Sequence, residues 1–159
     1  MQAVLLDAIA WGRKMTVLQT SQQEIIEALA SERTCTLATC ADNRVTIRPM
    51  SHVHDGLALS FQTSANSLKM QQIRKNPAVA VCVGTYEMEG LAADLGHPLA
   101  ESNRWFAEQY RQKHPGSFSA YTALEDEIVV KVSVHLVRQW RYIEGKPHLA
   151  EYACAQASP

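Results

Sequence analysis

Apolar residues recur along this chain with two different periods, and each change of period marks a new element. Ser21-Gln-Gln-Glu24 has the spacing of a helix-capping box, and Ile25, Ile26, Leu29 and Ala30 behind it share one helical face. Past Ser31–Arg33 the pattern shortens. Thr34–Thr39 and Val45–Val53 predict a hairpin around Ala41-Asp42-Asn43, and Leu57–Gln62 a third strand after the turn at His54-Asp55-Gly56. A short helix over Asn66–Lys75 closes before Pro77. Valine-rich Ala78–Tyr86 predicts a strand, and Glu87–Leu95 another, with Gly90 marking a bulge or a close backbone approach. Pro98–His114 has helical composition and is broken at Pro115-Gly116. The clearest strand is Glu127–Tyr142, where Ile128, Val130, Val132, Val134 and Leu136 alternate. Six strands in hairpin-like order, with few helices between them, predict a mainly β protein with flanking helices, and an antiparallel barrel rather than a doubly wound sheet.

Length adds that this is one domain spanning residues 1–159, with 1–20 as an N-terminal extension and 149–159 as a tail. The opening MQAVLLDAIAWGRKM predicts an extra helix. Its Arg13 and Lys14 follow the apolar run, the wrong order for a secretory signal. With 15 basic and 16 acidic residues the chain has no field for nucleic acid or anionic lipid, and no apolar stretch is long enough to span a membrane. Cys35, Cys40, Cys82 and Cys154 form no C-x-x-C pair, so neither a disulfide framework nor a metal site is implied; Cys35 and Cys82, inside β-patterned runs, read as small core residues. A reduced, cytoplasmic protein is the expectation.

Candidate chemistry gathers between Arg48 and Pro77. Beyond Thr63, at a strand end, Ser64, Asn66, Ser67 and Lys69 bring hydroxyls, an amide and a cation to a helix N-terminus, and Arg48 on the neighbouring strand supplies a second cation. Free N–H groups, the positive end of the helix dipole and charge-assisted donors suit a phosphate. Ordinary helix capping by Ser64 or Asn66, with Lys69 as a solvated lysine, accounts for the same residues without a ligand.

The run Gln62-Thr-Ser-Ala-Asn-Ser-Leu-Lys-Met-Gln-Gln-Ile-Arg-Lys-Asn-Pro77 resembles the strand-to-helix segment of the pyridoxamine phosphate oxidase-like flavoproteins, the FMN-binding split β-barrels. The upstream order agrees: a helix, the strand Cys35-Thr-Leu-Ala-Thr39, then a strand ending in Arg48-Pro49. By element order the resemblance covers residues 22–148. It implies a six-stranded antiparallel split β-barrel and a homodimer with FMN at the subunit interface. Arg48, Thr63, Ser67 and Lys69 would hold the FMN phosphate, with the backbone of Val45, Thr46, Ile47, Arg48 and Pro49 along the isoalloxazine edge. Trp140, in Gln139-Trp140-Arg141, would lie close to the partner subunit's flavin or else fill the barrel or dimer core.

Departures from the family pattern bear on the reaction. Val53 stands where true pyridoxamine phosphate oxidases carry a lysine, Leu68 where an arginine is common, and the C-terminal Arg-Leu-x-Pro ending is absent. The implied function is flavin-dependent redox chemistry on a small molecule other than a vitamin B6 phosphate, as in the general stress and nitroimidazole-resistance branches. Rival readings are a non-catalytic flavin-binding stress-related protein and a haem or deazaflavin binder on the same fold. His52 and His54, roughly 7 Å apart on one strand face, read as a solvated polar face, as haem or metal ligands lacking a third partner, or as a proton donor near the flavin. No pattern assigns a catalytic residue.

Overall fold

The computed structural model describes residues 6–10 and 13–154. In chain order the elements are β1 (Leu6–Ala10), β2 (Arg13–Gln19), α1 (Gln22–Ser31), β3 (Thr34–Ala41), β4 (Arg44–Ser51), β5 (Val53–Asp55), β6 (Ala58–Ser64), α2 (Leu68–Lys75), β7 (Ala78–Val83), β8 (Tyr86–Asp94), a 3-10 turn (Glu101–Asn103), α3 (Arg104–Lys113), α4 (Pro115–Tyr121), β9 (Glu127–Ile143) and β10 (Lys146–Ala153). Hydrogen-bonded strands follow the path β1-β2-β10-β9-β8-β7-β3-β4, with β6 added to β9 and β5 to β6.

The long strand β9 is the spine. Its start pairs with β6 (Thr63 opposite Ile128), its middle with β8, and its end with β10 (Leu149 opposite Trp140). Because β4 and β6 touch but are not hydrogen-bonded to one another, the curled sheet stays open along that seam. The architecture is the expected antiparallel split barrel with flanking helices. The six strands read from the sequence are β3, β4 and β6–β9; four more lie among the described residues.

Local chemistry explains most boundaries. Ser21 accepts a hydrogen bond from the Glu24 N–H and caps α1. Asp42 and Asn43, both at positive φ, make the two-residue turn between β3 and β4. The register of β8 against β9 shifts between Glu89 and Gly90, where a Cβ on Gly90 would lie 2.6 Å from the Ser133 carbonyl oxygen. Both halves of the bulge-or-close-approach reading therefore apply. Inside the barrel, Ile25 and Leu29 of α1 and Met70 and Ile73 of α2 pack against Leu37, Leu59, Phe61, Val81, Val130 and Val132. A second cluster joins Val53, Phe106, Tyr110 and Val129 under α3 and α4.

Four expectations need correction. The N-terminal segment forms the hairpin β1–β2 rather than a helix; β2 finds an open strand edge in β10 and adds to it in parallel, and sheet pairing overrides a weak local preference. Part of the expected tail belongs to β10, with Leu149 and Ala150 buried. Pro115 starts α4 instead of only ending α3, because its fixed φ and missing N–H suit the first turn of a helix. Cys82 is exposed: alternation in β7 turns Val79, Val81 and Val83 inward and Cys82 outward. Cys35 is buried as expected, and burial pushes its thiol up to about 12.

Candidate functional site

The open seam carries the site. Thr63 is the penultimate residue of β6, the chain turns at Ala65 and Asn66, and α2 begins at Leu68 with Ser67 in the N-cap position. The loop is fastened from outside, Ser64 Oγ donating to Asp126 Oδ2 at 2.6 Å and Asn66 Nδ2 to the same oxygen at 3.4 Å. These two residues hold the turn and are not free for a ligand. Ser67 is different. Its side chain makes no capping bond, and its Oγ lies 3.5 Å from Thr63 Oγ1. Lys69 Nζ donates to the same Thr63 oxygen at 2.7 Å. Thr63, Ser67 and Lys69 thus converge at the positive end of α2, where first-turn N–H groups lack helical partners.

Arg48 approaches from β4. Its guanidinium donates to Thr39 Oγ1 at 2.7 Å, to the Leu37 carbonyl at 3.3 Å, and to Thr46 Oγ1. With five N–H donors on a guanidinium, this leaves two for another partner. Burial lowers the pKa of Lys69, and the nearby Arg48 charge lowers it further, partly offset by Glu127. Among the described residues neither cation forms a salt bridge. Two half-buried cations side by side, without a paired carboxylate, make a site that favours an anion.

Gln72 was missed in the sequence. One helical turn beyond Lys69, it is buried; its Oε1 accepts from Thr39 and Thr46 at 2.6 Å each, and its Nε2 donates to the Arg44 carbonyl at 2.8 Å. It ties α2 to the threonines that orient Arg48. The available signal was a polar residue three positions after Lys69, hence on the same face.

The remaining expected residues divide by face. On β4, Thr46 and Arg48 turn inward, whereas Val45, Ile47 and Pro49 turn outward, Val45 and Ile47 being 64% and 69% exposed. β4 ends the strand path, so the backbone groups on its free edge are available to a ligand. Trp140 sits near the far end of β9, partly exposed, and is not brought to the cradle within one chain.

The solvated-face reading fails for His52, which is fully buried between β4 and β5. Its Nε2 lies 3.2 Å from the Leu29 carbonyl oxygen, and its Nδ1 has no partner. Burial, with Lys113 nearby, depresses its pKa to about 4. His54 is half-buried and bonded to the Gly56 carbonyl through Nδ1. No cluster of three metal-ligating side chains occurs among the described residues, and no helix there is long and apolar enough to cross a membrane.

Residues 21–141 match the family model described as pyridoxamine 5'-phosphate oxidase. General stress protein 26 of Bacillus subtilis (strain 168) is 32% identical over 72 residues, 45% of this chain, and the match spans about half of that relative's length. Among solved structures, an FAD-binding protein from Mesorhizobium loti is 15% identical with a TM-score of 0.59, over 74% of this chain and 92% of its own. The heme storage protein of Vibrio cholerae is 15% identical with a TM-score of 0.60, over 70% of this chain and 88% of its own. At such identities these two structures bear on the fold alone.

Proposed function

The chain belongs to the pyridoxamine 5'-phosphate oxidase family, and from that premise we propose that it binds FMN and serves as a flavin-dependent oxidoreductase on a small molecule. The observation that carries the reading is the cradle of Thr63, Ser67 and Lys69 at the α2 N-terminus, with Arg48 beside it and neither cation paired with a carboxylate among the described residues. That donor set fits a terminal phosphate, which the helix dipole and charge-assisted donors both favour. Bound flavin would supply hydride transfer. The protein's part is to hold the phosphate, offer the β4 edge to the ring system, and exclude water from it.

Oxidation of a vitamin B6 phosphate is not the reading. Val53, where the family enzymes carry a lysine, is packed with Phe106, Tyr110 and Val129 and cannot present a cation to a second phosphate. The exposed Val45 and Ile47, together with partly exposed Trp140, support a homodimer that would complete the flavin site across the interface.

An absorption spectrum of the purified protein, taken after FMN addition and desalting, tests the proposal. A retained doublet at about 370 and 450 nm, the flavin's own bands, is the expected result. A colourless protein overturns it.

A further inference from the structure

A cavity of about 440 Å³ opens next to the cradle, sharing Thr63 with it and Pro49 with the β4 edge. Its polar wall includes Gln62, Tyr110, Ser117, Asp126 and Glu127, its apolar wall Met50 and Tyr121, and no lysine, arginine or histidine lines it. Tyr110 Oη and Ser117 Oγ lie 3.0 Å apart, and Asp126 is engaged by Ser64. Glu127 stands apart from these. It is only 6% exposed, yet its carboxyl forms no hydrogen bond or salt bridge among the described residues. Its carboxyl faces the cavity, and an acid so largely removed from water is costly to ionise without a cation or a donor beside it. Burial and the Asp126 charge accordingly push its pKa up, with Lys69 and His97 pulling weakly the other way.

We infer that this cavity is the substrate pocket of the flavin chemistry proposed above, that it takes small organic molecules bearing an amino or ammonium group, and that Glu127 is the residue recognising that group. The reasoning is charge matching. A carboxylate-lined wall without a cation rejects an anionic substrate and rewards a cationic one. An ammonium placed between Glu127 and the Tyr110–Ser117 hydroxyls would pair the one buried acid left without a partner among the described residues, while Met50 and Tyr121 would cover the substrate's carbon skeleton. The inference rests on the flavin reading for its chemistry, but not for its recognition.

The test is calorimetric titration of the full chain with benzylamine and with benzoate, each with and without FMN. Benzylamine should bind at least about tenfold more tightly than benzoate, and Glu127→Gln should erase that preference while FMN retention stays unchanged. If the variant fails to fold, the wild type still decides. Its benzylamine affinity should fall as pH drops through the titration of Glu127, in the field of Asp126, Lys69, His97 and the Tyr110 hydroxyl. Equal binding of the two probes, an undiminished preference in a folded variant, or a flat pH profile overturns the inference. Glu127-dependent benzylamine binding in a protein that retains no FMN would support the pocket and overturn the flavin reading instead.

Discussion

Lys69 Nζ lies 2.7 Å from Thr63 Oγ1, joining the first turn of α2 to the last inward residue of β6 across the loop between them. The contact holds an ammonium partly out of water and close to a second cation, Arg48. A phosphate bridging these groups would replace a charge repulsion with charge-assisted hydrogen bonds.

Removing that ammonium should show directly in cofactor affinity. Charge-assisted contacts are worth roughly 1.5–3 kcal/mol each, so Lys69→Met should raise the FMN dissociation constant by about 10- to 100-fold, and Ser67→Ala should add to the loss. Flavin fluorescence titration measures it. Unchanged affinity in the double variant would remove the phosphate from this cradle.

Gln72 is expected to matter for both stability and binding. Replacing it with leucine removes the acceptor of the buried Thr39 hydroxyl and of the Thr46 hydroxyl, and the side-chain donor to the Arg44 carbonyl. The cost should be about 2–4 kcal/mol in urea unfolding. Flavin affinity should also fall, because Thr39 and Thr46 orient Arg48.

Acid should destabilise the fold through His52. The folded pKa is about 4 against an ordinary 6.5, so between those values the unfolded chain binds the proton and the folded chain does not. The stabilising contribution is complete above pH 6.5 and is lost as pH falls through about 4, amounting to at most about 3 kcal/mol. His114, also depressed by burial, contributes with the same sign. His52→Leu should flatten the dependence of the unfolding midpoint on pH in that window; a slope identical to wild type would contradict the assignment.

Gly90→Ala should cost about 2–3 kcal/mol by overpacking. The new methyl would meet the Ser133 carbonyl oxygen at 2.6 Å and Val132 Cγ1 at 2.9 Å, and backbone on the facing strand has little room to yield. Thermal unfolding reports it, and a neutral variant would mean that β8 shifts freely against β9.

Ile47→Glu tests assembly. If the outward face of β4 is a dimer interface, light scattering should give a dimer for the wild type and a monomer for the variant, with weaker flavin retention. A monomeric wild type would leave Val45 and Ile47 without the proposed role.

The six barrel strands were legible because hairpins are local. Period-2 alternation, the Asp42-Asn43 turn and Gly90 each act within a few residues of chain. The cradle of Thr63, Ser67 and Lys69 was legible for the same reason, since a strand end and the next helix start lie close in sequence. What lies far apart in the chain was not legible. Gln72 reaches Thr39 and Arg44, His52 meets Leu29 of α1 and His114 just past α3, and Glu127 is buried near Lys69 of α2 on a cavity wall shared with Tyr110 of α3. The N-terminal segment is a strand only because β10 offers it an edge. The sequence by itself determined the barrel's hairpins and the convergence of Thr63, Ser67 and Lys69 at a strand end and the next helix start. Tertiary structure alone decided which polar groups lose their water, because burial, not residue type, sets whether a histidine is a core residue or an acid stands unpaired.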